Sequence, residues 1–162
     1  MSSANDELIQ RFYASFAARD GDAMAACYKP GATFSDPVFT DLRGDEPGAM
    51  WRMLTSRATD LEVKLVEHGA EGDKGHARWI ADYTFTQTGR KVRNDVRSQF
   101  TFDGGLIAAQ EDSFSFHGWA RQALGPVGLF LGWTPPVRAG VSRKARAGLD
   151  EFMSKSQGPD AG

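Results

Sequence analysis

From residue 61 onward the sequence alternates apolar and polar side chains through "LEVKLVEHG", "HARWIADYTF", "VRNDVRSQFTF" and "LIAAQEDSFSF". A period of two sends one set of side chains to a buried face and the other to water, so each segment reads as a half-buried strand. The breaks between them, "EGDKG", "TGRK" and "DGG", are short and rich in turn-forming residues. Such turns join antiparallel neighbours, and four strands linked this way form a meander. A sheet with one apolar face needs a cover, which the rest of the chain must supply.

The first 60 residues offer that cover. After a cap at Ser3 or Asn5, residues Leu8, Ile9, Phe12, Tyr13 and Phe16 recur at helical spacing, and "RDGD" ends the helix. A short second helix is expected to hold Met24, Cys27 and Tyr28 until Pro30 and Gly31 stop it. "ATFSDPVF" reads as a brief strand or extended hook. In "GDEPGAMWRMLTSRA", Asp45 can cap a third helix, Pro47 suits its first turn, and Met50, Met53 and Leu54 share a stripe.

With 162 residues, 41% of them hydrophobic, the chain suits one core rather than two. A net charge of −2 lacks the basic excess that a phosphate backbone demands, so no nucleic-acid partner is expected. Cys27 is the only cysteine, which precludes an internal disulfide and fits a reducing compartment. The polar start "MSSANDELIQ" has no apolar signal core, and a cytoplasmic location is the default expectation. Residues 119–137 are apolar, but their longest unbroken run, Val127 to Trp133, is far short of the roughly 20 residues a membrane span needs. A final helix is expected over "GVSRKARAGLDEFM", followed by a disordered tail at 155–162. Arg138, Arg143, Lys144 and Arg146 read as its solvated face.

The segments "LIQRFYASFAARDGDAMAACYKPGATFSDPVF", "MWRML" and "FTFDGGLIAAQEDSF", in that order, resemble the nuclear transport factor 2-like superfamily. That group includes the SnoaL-like polyketide cyclases and the ketosteroid isomerases. The resemblance implies a cystatin-like α+β fold over residues 1–118. In it a curved antiparallel sheet of four to six strands forms a cone around the long N-terminal helix. Residues 119–154 would add an apolar hook and a helix to the same domain. It further implies a pocket at the open end for a small apolar ligand, and a homodimer through the sheet face. No cofactor is expected.

By that resemblance Asp36, the acid before proline in "SDPVF", takes the position of a general base. A carboxylate in a dry pocket, here beside Phe34 and Phe39, becomes basic enough to remove a proton next to a carbonyl. Asp before Pro also favours an Asx turn that satisfies backbone donors, and that purely architectural role is the alternative. Tyr13 falls near the position of an oxyanion donor, or is a core aromatic. The second, acidic donor would fall near Ser98, while Asp95, an odd number of residues away, would face the other side. Steroid isomerisation is not supported on that pattern.

Asp112 in "EDSFSF" matches the pocket carboxylate of SnoaL-like cyclases and limonene epoxide hydrolase-like proteins, with Phe114 and Phe116 expected on its face. Its alternative is a surface ion pair at the strand end. The epoxide hydrolase relay needs an Arg-x-Asp pair on an earlier strand. Arg78 and Asp82 would stand about 13 Å apart along one strand, and Arg93 and Asp95 fall on the following one. Trp51 and Trp79 are candidates for a ligand-stacking wall or for core, and His117 for a group that titrates near neutrality or for a solvated strand end. His68, His76 and His117 show no metal-ligand spacing.

The expectation is therefore a protein that encloses a small apolar molecule, with Asp36, Asp112 and Tyr13 as working groups. Phe34, Trp51, Trp79 and His117 would line its site. Acid–base chemistry of the isomerase, cyclase or hydratase type would follow. A noncatalytic binding or interaction module of the same fold is the alternative. An open pocket with both acids inside favours the first, and a filled cone with Asp36 bonded to backbone favours the second.

Overall fold

A computed structural model describes residues 3–126 and 134–156. Helix α1 spans Ala4–Ala17, with the Ser3 side chain accepting the Asp6 N–H as its cap. Its buried stripe is Leu8, Ile9, Phe12, Tyr13 and Phe16, the set that the helical spacing marks out. Helix α2 (Gly21–Ala25) is shorter than expected. Tyr28 is not in it but opens strand β1 (Tyr28–Ser35), which runs straight through Pro30 and Gly31. Gly31 takes a positive φ of 81° there, a conformation open to glycine, and the pairing register shifts between Tyr28 and Thr33.

Strand β2 (Leu42–Arg43) pairs with β1, and α3 (Glu46–Arg57) follows with Pro47 in its first turn. Met50 and Met53 are buried, whereas Leu54 of the expected stripe lies exposed and Trp51 takes the inner place. The meander is β3 (Glu62–Glu71), β4 (Lys74–Phe85), β5 (Arg90–Asp103) and β6 (Leu106–Ser113). The six strands lie in the order β2-β1-β6-β5-β4-β3 in a curved, unclosed sheet. The α+β cone is as expected, with one addition to its antiparallel pattern. Strand β1 pairs parallel with β6, because the chain returns to that edge only after α3 and the whole meander.

Alternation decides which side chains face α1. Ala77, Trp79 and Ala81 of β4 point inward with Val96, Ser98, Phe100 and Phe102 of β5. The opposite face is polar, and there Arg78 pairs with Asp95 and Arg93 with Asp82 across β4 and β5. The core beneath α1 is aromatic: Phe12 meets Tyr13, Tyr28, Trp51 and Phe100 edge-on at centroid distances of 5.1–6.4 Å. Each such ring contributes about 2–3 kcal/mol through burial.

Strand β6 ends at Ser113, and the expected continuation through Phe116 gives way to a helix, α4 (Phe116–Leu124), capped by Ser115. Its Trp119, Ala120 and Ala123 form a second apolar cluster with Phe116 and Val92, and Val38, Tyr83 and Phe114 pack against it. The final helix α5 (Pro135–Ser156) is longer than expected at both ends. It docks through fully buried Leu149, and Arg146 bonds Glu46 of α3. The run Val127 to Trp133 and residues 157–162 lie outside the described residues.

Candidate functional site

The hook after β1 carries Asp36. Its Oδ1 accepts the N–H of Val38 at 2.7 Å and of Phe39 at 2.6 Å, and its own N–H donates to the Phe39 carbonyl at 2.8 Å. The Asx turn read from Asp-Pro is therefore real. So is the apolar setting: burial pushes the carboxyl up to about 6, and the two backbone donors only partly oppose this. Phe34 is buried in the core below it.

Asp112 lies on the inner face of β6, directly opposite Ser98 of β5. It is 5% exposed, too little for the surface ion pair that was its alternative reading. Burial pushes its carboxyl up to about 7, with donation from Ser98 and Gln110 opposing and the charge of Asp36 adding to the rise. Gln110 Nε2 donates to Asp112 Oδ1 at 3.0 Å. Burial is the largest cause of the rise for both acids.

One chain of hydrogen bonds ends on Asp112 and a second on its cross-strand neighbour Ser98. In the first, Trp51 Nε1 donates to Tyr28 Oη at 2.8 Å, the Tyr28 hydroxyl donates to Gln110 Oε1, and Gln110 donates to the carboxyl. In the second, Trp79 Nε1 donates to Ser98 Oγ at 2.9 Å, and Tyr13 Oη lies 2.8 Å from the same oxygen. Burial drives the Tyr13 and Tyr28 phenols well above their usual range, so both are neutral hydroxyls. Every described buried side-chain nitrogen and oxygen has a partner.

Tyr13 is thus brought to Ser98 and Asp112, with Asp36 close enough for its charge to reach both Asp112 and Tyr83. Trp51 and Trp79 are buried in the core, where their indole N–H groups bond Tyr28 and Ser98. His117 lies half-buried in the first turn of α4. Asp95 is on the outer face with Arg78, as its odd spacing from Ser98 requires, so neither Arg-Asp pair enters the interior.

Tyr28, Gln110 and Tyr83 escaped sequence reading. Gln110 is two residues before Asp112 and Tyr83 is four after Trp79, so alternation alone could have placed both on the inner face. Tyr83 Oη accepts Trp119 Nε1 at 2.9 Å, which ties α4 to the end of the sheet nearest Asp36.

The interior is filled by its own rings. Two cavities among the described residues, of about 640 and 360 Å³, are lined chiefly by polar-face residues such as Thr33, Gln99, Glu111 and Arg97, and neither is lined by Asp36 or Asp112. No group of three His, Cys, Asp or Glu among the described residues could hold a metal ion. No described helix is long and apolar enough to cross a membrane.

Residues 9–110 match the SnoaL-like domain, and the chain belongs to that family. No curated protein matches it. An epoxide hydrolase of the limonene epoxide hydrolase-like type from M. tuberculosis is similar in fold, at 20% identity and a TM-score of 0.64, covering 80% of this chain and 97% of its own. A candidate SnoaL-like polyketide cyclase from Jannaschia sp. CCS1 has a TM-score of 0.66 at 17% identity, with 77% and 94% covered. TsrD from Streptomyces laurentii is 25% identical with a TM-score of 0.62, and 74% and 93% are covered.

Proposed function

We propose that this protein binds a small, mostly apolar molecule at the open end of the cone and moves a proton on it with Asp36 and Asp112. The observation that carries this reading is a pair of carboxyls, half-buried Asp36 and buried Asp112, raised by desolvation to about 6 and about 7. Buried carboxyls that lack a counter-ion destabilise a fold, and their natural use is proton transfer near neutrality. At neutral pH Asp36 is mostly ionised and serves as the base, while Asp112 is about half protonated and serves as the acid. Partly buried Val38, Tyr83 and Phe114, which pack against the second apolar cluster, would move aside for the ligand. The named activities of the epoxide hydrolase and cyclase relatives support small-molecule chemistry as the class.

A panel of apolar cyclic enones and β-diketones, incubated in D2O and followed by NMR, tests the reading. Enzyme-dependent exchange of the α-protons is expected, falling about 100-fold or more in Asp36→Asn. Exchange that persists undiminished in that variant removes Asp36 from the role, and a panel that neither exchanges nor raises the melting temperature removes the reading. The filled interior and the backbone bonds of Asp36 favour a second reading, a noncatalytic module. It predicts binding without exchange, or no binding at all.

A further inference from the structure

We propose that Trp51 and Tyr28 hold the side-chain amide of Gln110 in the one orientation that donates to Asp112, which makes Gln110 the residue that steadies the ionised form of that carboxyl. This deepens the acid–base reading above and rests on it for its use.

The orientation follows from counting hydrogens along bonds whose geometry is in place. An indole N–H only donates, so Tyr28 Oη accepts from Trp51 at 2.8 Å. The single hydrogen of the Tyr28 hydroxyl must then leave in another direction, and it meets Gln110 Oε1. With its oxygen held there, the amide turns its nitrogen the other way, and Nε2 donates to Asp112 Oδ1 at 3.0 Å. The three bonds link α3, β1 and β6 into one unit.

A flipped amide fails the same count. Its Nε2 would join the Trp51 indole as a donor to Tyr28 Oη, and the tyrosine hydrogen would face donors alone. Its Oε1 would meet Asp112 Oδ1, oxygen against oxygen, which only a protonated carboxyl can satisfy. Trp51, Tyr28, Gln110 and Asp112 are all buried, so solvent does not stand in for a lost partner. The held amide therefore favours the anion and opposes the rise that burial causes. Asp112 stays able to give up a proton near neutrality, which the proposed chemistry requires. Gln110 acts through Asp112 and is a positioning residue, with Tyr28 and Trp51 behind it.

The titratable groups that act on Asp112 are Tyr13 from α1, Tyr28 from β1 and Asp36 from the hook. Cys27, beside Tyr28, is raised by burial and stays a thiol. Burial keeps both tyrosines neutral, which leaves Asp36 as the group whose titration overlaps that of Asp112. An Asp36→Asn background isolates the lock.

In that background, the Asp112 carboxyl carbon is titrated by 13C NMR with and without Tyr28→Phe, and both measurements are repeated with Gln110→Met present. The lock predicts that Tyr28→Phe raises the Asp112 midpoint by on the order of half a pH unit when Gln110 is present, because the amide is then free to turn its oxygen to the acid. It predicts no movement when residue 110 is methionine. Equal movement in both, none in either, or a fall overturns it. Tyr28→Phe strands the Trp51 N–H and can fail to fold, so the 15N-labelled Gln110 side-chain amide is also read in the Asp36→Asn protein alone. Its hydrogens should titrate with the Asp112 midpoint and lie flat once Asp112→Asn is added. Above the midpoint they should show NOE contacts to the Asp112 Cβ hydrogens. A flat signal before that addition, or contacts to the Tyr28 ring hydrogens beside the hydroxyl in their place, overturns the lock. Neither readout needs a substrate, so a failed exchange assay with the lock intact removes the proposed chemistry alone. A lock lost beside intact exchange removes this inference alone.

Discussion

Asp36 combines a role in the turn with a carboxyl that its setting makes less acidic. Its Oδ1 closes the hook by holding two backbone N–H groups, which an amide oxygen could hold equally well. The charge is what the setting resists. Asp36→Asn should therefore melt higher than the parent, by on the order of 1 kcal/mol, while Asp36→Ala, which strands both N–H groups, should melt lower by about 1–3 kcal/mol. A lower melting point for the asparagine variant would mean that the carboxylate itself stabilises the fold. The pH dependence has a definite sign. Asp36 and Asp112 bind protons more tightly folded than unfolded, where an aspartate titrates near 3.8. Their contribution is complete below that value and is lost as pH rises through about 6 and about 7. Asp60 and Asp95 are held low by hydrogen bonds to Thr84 and Arg78 and act oppositely, but only at more acid pH. Urea unfolding should show the parent more stable at pH 5 than at pH 7.5, and Asp36→Asn with Asp112→Asn should flatten that slope. A parent that is no more stable at pH 5 would contradict buried carboxyls.

At the scale of elements, the close packing of α2 against α3 depends on a residue without a side chain. A Cβ on Gly21 would lie 2.6 Å from the Arg52 Cα and equally near the Thr55 hydroxyl. Backbone cannot yield as a flexible side chain does, so Gly21→Ala should cost about 1–3 kcal/mol by forcing the helices apart. Gly140 in α5 is the control: its nearest neighbour would be 3.9 Å away, and Gly140→Ala should stabilise by about 0.5–1 kcal/mol through helix propensity. Thermal melts of the two variants should move in opposite directions. Movement in the same direction would show that packing at Gly21 does not limit α2. Strand β1 carries a related lesson. Pro30 and Gly31 read locally as a helix stop, yet the hydrogen bond from Ile107 N–H to the Cys27 carbonyl draws this segment onto β6 as a strand.

For the whole molecule, the apolar interior and the charged exterior of one sheet have separate uses. We propose that the outer face, with its groove of about 640 Å³ lined by residues including Thr33, Gln99, Thr101 and Ala109, pairs with a second copy. Sedimentation should then give a dimer for the parent and a monomer for Ala109→Arg, with the melting temperature changed little. A monomeric parent would end that proposal. Helix α4 is tied to β4 by the Trp119 bond to Tyr83 and by the apolar cluster around it.

The alternation from residue 61 onward was enough to lay out four of the six strands, and the helical spacing of Leu8 to Phe16 was enough to predict the buried face of α1. Both are local periodicities that any fold must respect. The candidates Asp36, Asp112 and Tyr13 were legible from the sequence, two of them as acids set among phenylalanines. That β1 lies parallel to β6, that Asp112 faces Ser98, and that Trp51 and Trp79 donate to Tyr28 and Ser98 could not be read locally. Each depends on contacts between residues 14 to 85 positions apart, and long-range pairing is settled by the packing of the whole core. Which groups donate near Asp112 follows from that packing too, because only the folded chain brings the Trp51 indole to Tyr28 and the Trp79 indole to Ser98.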